Sequence, residues 1–187
     1  MKKALIVVDV QRDFCEGGAL AASGTRSLLN PLQKFIKAAR KQEIVVVFTQ
    51  DWHPTNHKSF KMNGGPWPVH CEENSPGAEL MPPLAANFRD LIIHKGVSSG
   101  DEGYSAFEST SLADQLRSLE IESVAICGIA TEYCVRATAL DAAKAHFKVA
   151  LLTDLIRAVD AKTTPNVLTE LERAGVELLD SPAWISR

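Results

Sequence analysis

Short apolar runs alternate with longer amphipathic stretches along the chain. The apolar runs fall at residues 4–9, 44–49, 90–94, 123–127, 147–152 and 176–179. Most are continuous rather than alternating, as expected of parallel strands covered on both faces. The amphipathic stretches between them predict helices over residues 26–42, 111–119, 133–145 and 165–174. Ser23 or Thr25 is the expected N-cap of the first. For the last, Thr164 fits the cap, Pro165 the first turn and Gly175 the stop. This strand–helix alternation predicts an α/β fold: a doubly wound, mainly parallel six-stranded sheet with helices on both faces. With 187 residues, the chain has length for one domain with a real core and too little for two comfortable ones, so residues 1–187 are expected to form a single domain. No internal repeat or low-complexity tract interrupts it.

The segment from 51 to about 88 breaks the rhythm. It has little periodicity and is rich in Pro, Gly, Asn and His. It carries three of the five histidines and two of the three tryptophans. Disordered segments are poor in aromatics, and an ordered loop of this length inside a domain is a candidate for function.

Charge and composition remove several function classes. The net charge is -3 and the pI about 6.0, with no basic stripe, so nucleic-acid binding has no electrostatic support. The first apolar run is interrupted by Asp9 and by Gln11-Arg12-Asp13. It is too short for a signal peptide or a membrane span and reads as a buried strand. The four cysteines, Cys15, Cys71, Cys127 and Cys134, form no C-x-x-C pair. Free thiols in a reducing cytoplasm are expected, with no membrane partner.

Chemistry concentrates at the carboxyl ends of the predicted strands, where open α/β sheets bind ligands. The first strand ends at Asp9, and the second runs into Asp51-Trp52-His53. The third ends in His94-Lys95-Gly96. The fourth leads through a turn to Cys134, at the start of an Ala-rich helix. Any one of these is ordinary: a carboxylate after a strand is most often a turn residue, and a lone cysteine most often a small buried hydrophobe. Their coincidence on one rim raises the odds. A thiol at a helix N-terminus is expected to have a lowered pKa, and the N–H groups there can hold an oxyanion. Asp9 and Lys95 supply a base and a cation for such a thiol. Asp51 and His53, on alternate positions, together with His70, give a carboxylate and two imidazoles. That set leaves coordination positions open on Zn²⁺, Fe²⁺ or Mn²⁺. His57 is a further candidate, and Cys71 a rival that would favour a structural zinc site. Trp52 and Trp67, flanked by Pro54, Pro66 and Pro68, read as pocket walls.

Taken in order, these residues carry a resemblance. Val8-Asp9-Val10-Gln11-Arg12-Asp13-Phe14-Cys15-Glu16-Gly17-Gly18-Ala19-Leu20 is followed by Asp51-Trp52-His53-Pro54 with Asn56-His57. Gly65-Pro66-Trp67-Pro68-Val69-His70-Cys71, Lys95-Gly96 and Gly128-Ile129-Ala130-Thr131-Glu132-Tyr133-Cys134-Val135 come next. Along nearly its whole length the chain resembles the nicotinamidase/pyrazinamidase group of the isochorismatase-like cysteine hydrolases. The resemblance implies the isochorismatase-like hydrolase fold, with a metal- and substrate-binding insertion at about 51–88. It implies hydrolysis of nicotinamide to nicotinate and ammonia through a Cys134 thioester, with pyrazinamide a second substrate and NAD salvage or nicotinamide clearance the setting. It makes Cys134 the nucleophile, Asp9 the proton shuttle and Lys95 the third member of the triad. Asp51, His53 and His70 would hold one divalent metal, most simply Zn²⁺, with His57 an optional fourth ligand or a residue behind the others. Phe14, Trp67 and Tyr104 would sandwich the ring, Leu20 would close one side, and Tyr133 and Ala130 would also meet the substrate. The N–H groups of Ala130 and Cys134 would form the oxyanion hole, with a cis peptide before Ala130. The expected partners are a small-molecule substrate and a second copy of the chain, a homodimer being favoured.

Two other readings compete. A sister hydrolase acting on N-carbamoyl or ureido substrates, or on isochorismate, would share the triad; many such relatives lack the metal residues. A zinc-stabilised binding or redox-sensing module would make His70 and Cys71 structural and Cys134 a reactive thiol. It leaves Asp9 and Lys95 without a role.

Overall fold

In the computed structural model, which describes residues 1–187, each apolar run becomes a strand. These are β1 Lys2–Val8, β2 Val45–Asp51, β3 Leu91–Lys95, β4 Ile121–Ile129, β5 Lys148–Arg157 and β6 Glu177–Leu179. They form one six-stranded sheet in the order β3-β2-β1-β4-β5-β6. Every pairing is parallel. Side chains alternate across the sheet, and both faces are covered. Leu5 and Val7 point to one core with Phe48, whereas Ala4, Ile6 and Val8 point to the other with Val47 and Ile126. This explains why the central strands read as unbroken apolar runs.

Helix α1, Thr25–Lys41, covers the first face. Its buried Leu28, Leu29, Leu32, Phe35, Ile36 and Ala39 recur at the helical period, and each large one contributes about 1.5–3 kcal/mol of burial. The second face is covered by α2 Leu112–Ser118, α3 Arg136–Lys144 and α4 Thr164–Arg173. A fifth helix, α5 Ser181–Ile185, had no pattern long enough to announce it. It seats Trp184 beside Phe35 on the first face, with ring centroids 6.1 Å apart. No helix is long and apolar enough to cross a membrane.

Three local expectations are corrected. The cap of α1 is Gly24, at φ 73°, and neither Ser23 nor Thr25. The Thr25 hydroxyl is buried and accepts from Glu16 N at 2.9 Å instead. Thr164 is the first residue of α4, with Thr163 at the cap position. The helix expected over 133–145 begins as a π-helical turn, Thr131–Val135, before α3 takes over.

Two features build the site. The strand order reverses between β1 and β4, which opens a crevice at their carboxyl ends. There Val8 pairs with Gly128, at φ 117°. A Cβ at Gly128 would lie 2.1 Å from the Val8 carbonyl oxygen, so only glycine permits this approach. The stretch between β2 and β3 is irregular apart from short 3₁₀ turns at Lys61–Asn63 and Pro76–Ala78. Bridges His53–Glu72, Phe60–Trp67 and Gln11–Leu80 tie it to itself and to the end of β1.

Candidate active site

Asp9 follows β1, Lys95 ends β3 and Cys134 lies in the turn after β4, and the three meet. Asp9 and Lys95 are fully buried and Cys134 nearly so. The Lys95 ammonium has three protons to give. It donates to Asp51 Oδ1, to Gly103 O at 2.5 Å and toward Cys134 Sγ at 3.4 Å. Asp9 Oδ2 lies 2.8 Å from Lys95 Nζ, an ion-pair contact without the angle of a hydrogen bond, and has no hydrogen-bond partner. One oxygen of this buried carboxylate lies within 4.8 Å of the thiol sulfur, so Asp9 is the nearest side chain fit to accept the thiol proton.

Protonation follows from this packing. Burial raises the Asp9 carboxyl, and the neighbouring Lys95 charge only partly opposes it. Burial disfavours the Lys95 ammonium, but Asp51, Asp9 and Cys134 outweigh that and hold it protonated. Burial pushes the Cys134 thiol well up; Lys95 pulls it down, and Asp9 and Asp51 add to the rise. The sequence expectation of a lowered thiol pKa is therefore wrong for the resting site. Enclosure and two carboxylates outweigh the ammonium. This packing favours a neutral thiol beside the Asp9 carboxyl.

Asp51 links the triad to a second cluster. Its Oδ1 faces Lys95, while Oδ2 lies 3.4 Å from His53 Nε2 and 4.0 Å from His70 Nε2. The other ring nitrogens are committed: His53 Nδ1 pairs with Gly96 O at 2.9 Å and His70 Nδ1 with Pro68 O at 2.8 Å. Donation to these carbonyls leaves Nε2 of each ring turned toward Asp51, where the neutral ring presents a lone pair. Two lone pairs and a carboxylate converging within 4.8 Å in a buried site call for a cation. The donor set fits one divalent ion with positions to spare. His57 lies behind, stacked on His53 at 4.0 Å, with Nδ1 bonded to Ser59 Oγ at 2.7 Å. Its Nε2 is buried without a partner and stands outside the three-donor cluster.

A pocket opens over both groups. Ten residues line it: Phe14, Leu20, Asp51, Trp67, Tyr104, Ile129, Ala130, Tyr133, Cys134 and Val159. Asp51 is the only charged one. Trp67 Nε1 donates to Tyr104 OH at 3.0 Å, and Trp67 meets Tyr133 edge-on at 5.2 Å, so three aromatic rings form one braced wall. The Ile129–Ala130 peptide is cis. The Ala130 carbonyl accepts from Tyr133 N and Val135 N, anchoring the turn that carries Cys134.

All the residues singled out in the sequence for triad, metal and ring contacts thus converge on one region, with His57 at its edge. Others received no role from the sequence. Buried Gln11 clamps Asp51 from both sides: its amide donates to Asp51 O at 2.8 Å and accepts from Asp51 N at 2.9 Å. Asp13 Oδ2 accepts from Cys71 N at 2.8 Å, beside His70. Thr49 bonds Asp9. Polar residues inside or beside apolar strands were the only available signal. Trp52 stacks on His94 rather than lining the pocket.

The chain is similar to known proteins over nearly its whole length. Residues 3–183 match the isochorismatase domain family. The chain is 38% identical to the nicotinamidase/pyrazinamidase of Mycobacterium tuberculosis, over 96% of this chain and 99% of that one. It superposes with a TM-score of 0.93 on the pyrazinamidase of Pyrococcus horikoshii in complex with zinc, at 42% identity, covering 96% and 99% of the two chains. PnC1 of L. infantum in complex with nicotinate is 41% identical, with a TM-score of 0.89 and coverage of 97% and 94%.

Proposed function

The chain belongs to the isochorismatase domain family, and from that premise we propose that it is an amidohydrolase converting nicotinamide to nicotinate and ammonia, with pyrazinamide as a second substrate. One observation carries the reading. A buried thiol, carboxylate and ammonium stand against an aromatic pocket whose only charged lining residue, Asp51, also belongs to a metal-binding cluster. The activities named for the similar proteins support the substrate class.

In the proposed reaction Asp9 Oδ2 accepts the thiol proton as Cys134 Sγ attacks the carboxamide carbon. The carbonyl electrons pass to oxygen, which the N–H groups of Ala130 and Cys134 receive; losing one such donor costs about 3 kcal/mol. Collapse breaks the C–N bond. The leaving amine takes the proton from Asp9 and departs as ammonia, leaving a nicotinoyl thioester. Water then attacks the thioester and gives its proton to Asp9. Collapse expels the sulfur, which recovers that proton. Lys95 stays protonated throughout and offsets the charge on Asp9 and the sulfur.

Asp51, His53 and His70 would hold one divalent ion, with His57 an optional fourth ligand. Zinc is favoured by the similar pyrazinamidase, with Fe²⁺ or Mn²⁺ as alternatives. When bound, the ion supplies a Lewis-acidic contact for the ring nitrogen. Phe14, Trp67, Tyr104 and Tyr133 would hold the ring faces and Leu20 one edge. The reaction would serve cytoplasmic NAD salvage or nicotinamide clearance, and the chain would act as a homodimer. The test is ammonia release from nicotinamide and from N-carbamoyl compounds, before and after chelation. Nicotinamide should be the substrate, and chelation should raise KM at least as much as it lowers kcat. Turnover of N-carbamoyl compounds with nicotinamide untouched would replace this reading with a sister hydrolase.

A further inference from the structure

Asp9 stands at φ 48°, a left-handed conformation uncommon for a residue with a side chain. Such a residue persists where its neighbours hold it. The neighbour here is Thr49 of β2, itself fully buried. Asp9 N donates to Thr49 O and to Thr49 Oγ1, each at 3.2 Å. The Thr49 hydroxyl donates its one proton to Asp9 Oδ1 at 2.6 Å. Backbone and carboxylate of the base are therefore both fastened to the same residue on the adjacent strand. With Oδ1 held, rotation of the carboxylate is blocked, and Oδ2 is the oxygen turned to Lys95 and free of hydrogen bonds.

We propose that Thr49 is a positioning residue for the reaction: its hydroxyl selects which Asp9 oxygen meets the Cys134 proton and keeps it in place through both halves of the cycle. The turnover part rests on the proposed amidase reading; the thiol part does not. The proton moves from sulfur to Asp9 Oδ2 and later to the leaving nitrogen, and Thr49 exchanges none. A hydroxyl that merely satisfies a buried strand would leave proton transfer alone. One whose bond aims the base would not.

Thr49→Val keeps the β-branched shape and the backbone carbonyl but removes the hydroxyl. Thr49→Ser keeps the hydroxyl and loses a methyl group. In Thr49→Val, kcat for nicotinamide should fall about 10- to 100-fold, with KM changed by less than about twofold, because the base is misaimed while the ring walls stand. Thr49→Ser should recover kcat to within about threefold even where its melting temperature is lower. Alkylation of Cys134 by iodoacetamide, itself a small carboxamide, should slow in Thr49→Val and not in Thr49→Ser. Thr49→Ala repeats the comparison should the valine protein not fold. Wild-type kcat and alkylation in Thr49→Val, equal losses in Val and Ser, or a loss carried by KM would each overturn the inference. A wild-type protein that releases no ammonia would remove the amidase reading, and the alkylation rates would still decide the role of Thr49.

Discussion

Replacing Lys95 with methionine keeps the length of the side chain and deletes its charge. The residue is fully buried between Asp9 and Asp51 and also donates to the Gly103 carbonyl. Removing one partner from a buried charge cluster costs about 3–5 kcal/mol, and an orphaned buried carbonyl about 1–3 kcal/mol. These overlap, so a loss of about 4–6 kcal/mol is expected. At about 2–4 °C per kcal/mol for a chain of this size, melting should drop by roughly 10–20 °C. The measurement is thermal melting with chelator present, so that no ion replaces the lost charge at Asp51. Acid should narrow the deficit. The Asp9 carboxyl, already raised by burial, rises further without the ammonium. A carboxyl whose folded pKa exceeds its unfolded value of about 3.9 binds more protons when folded, so stability grows as pH falls between the two values. The deficit should be smaller at about pH 5 than at about pH 8. Adding Asp9→Asn, which removes one stranded charge, should restore part of it. Melting within about 3 °C of the parent, or a deficit that widens on acidification, would refute the charge argument.

Other consequences are equally direct. Gln11→Leu leaves the Asp51 N–H and C=O without their shared partner. It should cost about 2–4 kcal/mol in a urea titration and weaken zinc binding measured against a competing chelator. Gly96→Ala would bring a Cβ within 2.4 Å of His53 Cε1, at a backbone φ of 63°, so His53 must shift. Zinc affinity should fall about tenfold or more, as when the support of a ligand is disturbed. The proposed reaction requires ionised Asp9, whose carboxyl is raised by burial, so kcat/KM should decline as pH falls, with its midpoint above the usual carboxylate range of about 4. A flat profile down to that value would contradict the role of Asp9.

The fold was legible because both sheet faces are covered, which makes the inner strands continuous apolar runs. The rim residues Asp9, Asp51, Lys95 and Cys134 were legible because strand ends can be located from those runs. What stayed hidden depends on distance along the chain. Thr49 and Gln11 find their partners 40 residues away, on or just after a neighbouring strand. A polar residue in or beside an apolar strand says only that some partner exists. The thiol shift was misread because depth of burial is a tertiary property that no local pattern announces. The Gly24 cap was misread because the Thr25 hydroxyl was already committed to Glu16.

The central claim is that Cys134 performs covalent hydrolysis of a pyridine carboxamide. The most direct measurement is ammonia and nicotinate release from nicotinamide by the zinc-loaded protein, compared with a folded Cys134→Ala variant that binds zinc equally. The expected result is stoichiometric release of both products by the parent and none above background by the variant. Undiminished release by Cys134→Ala would contradict the claim and move the search for the nucleophile to water.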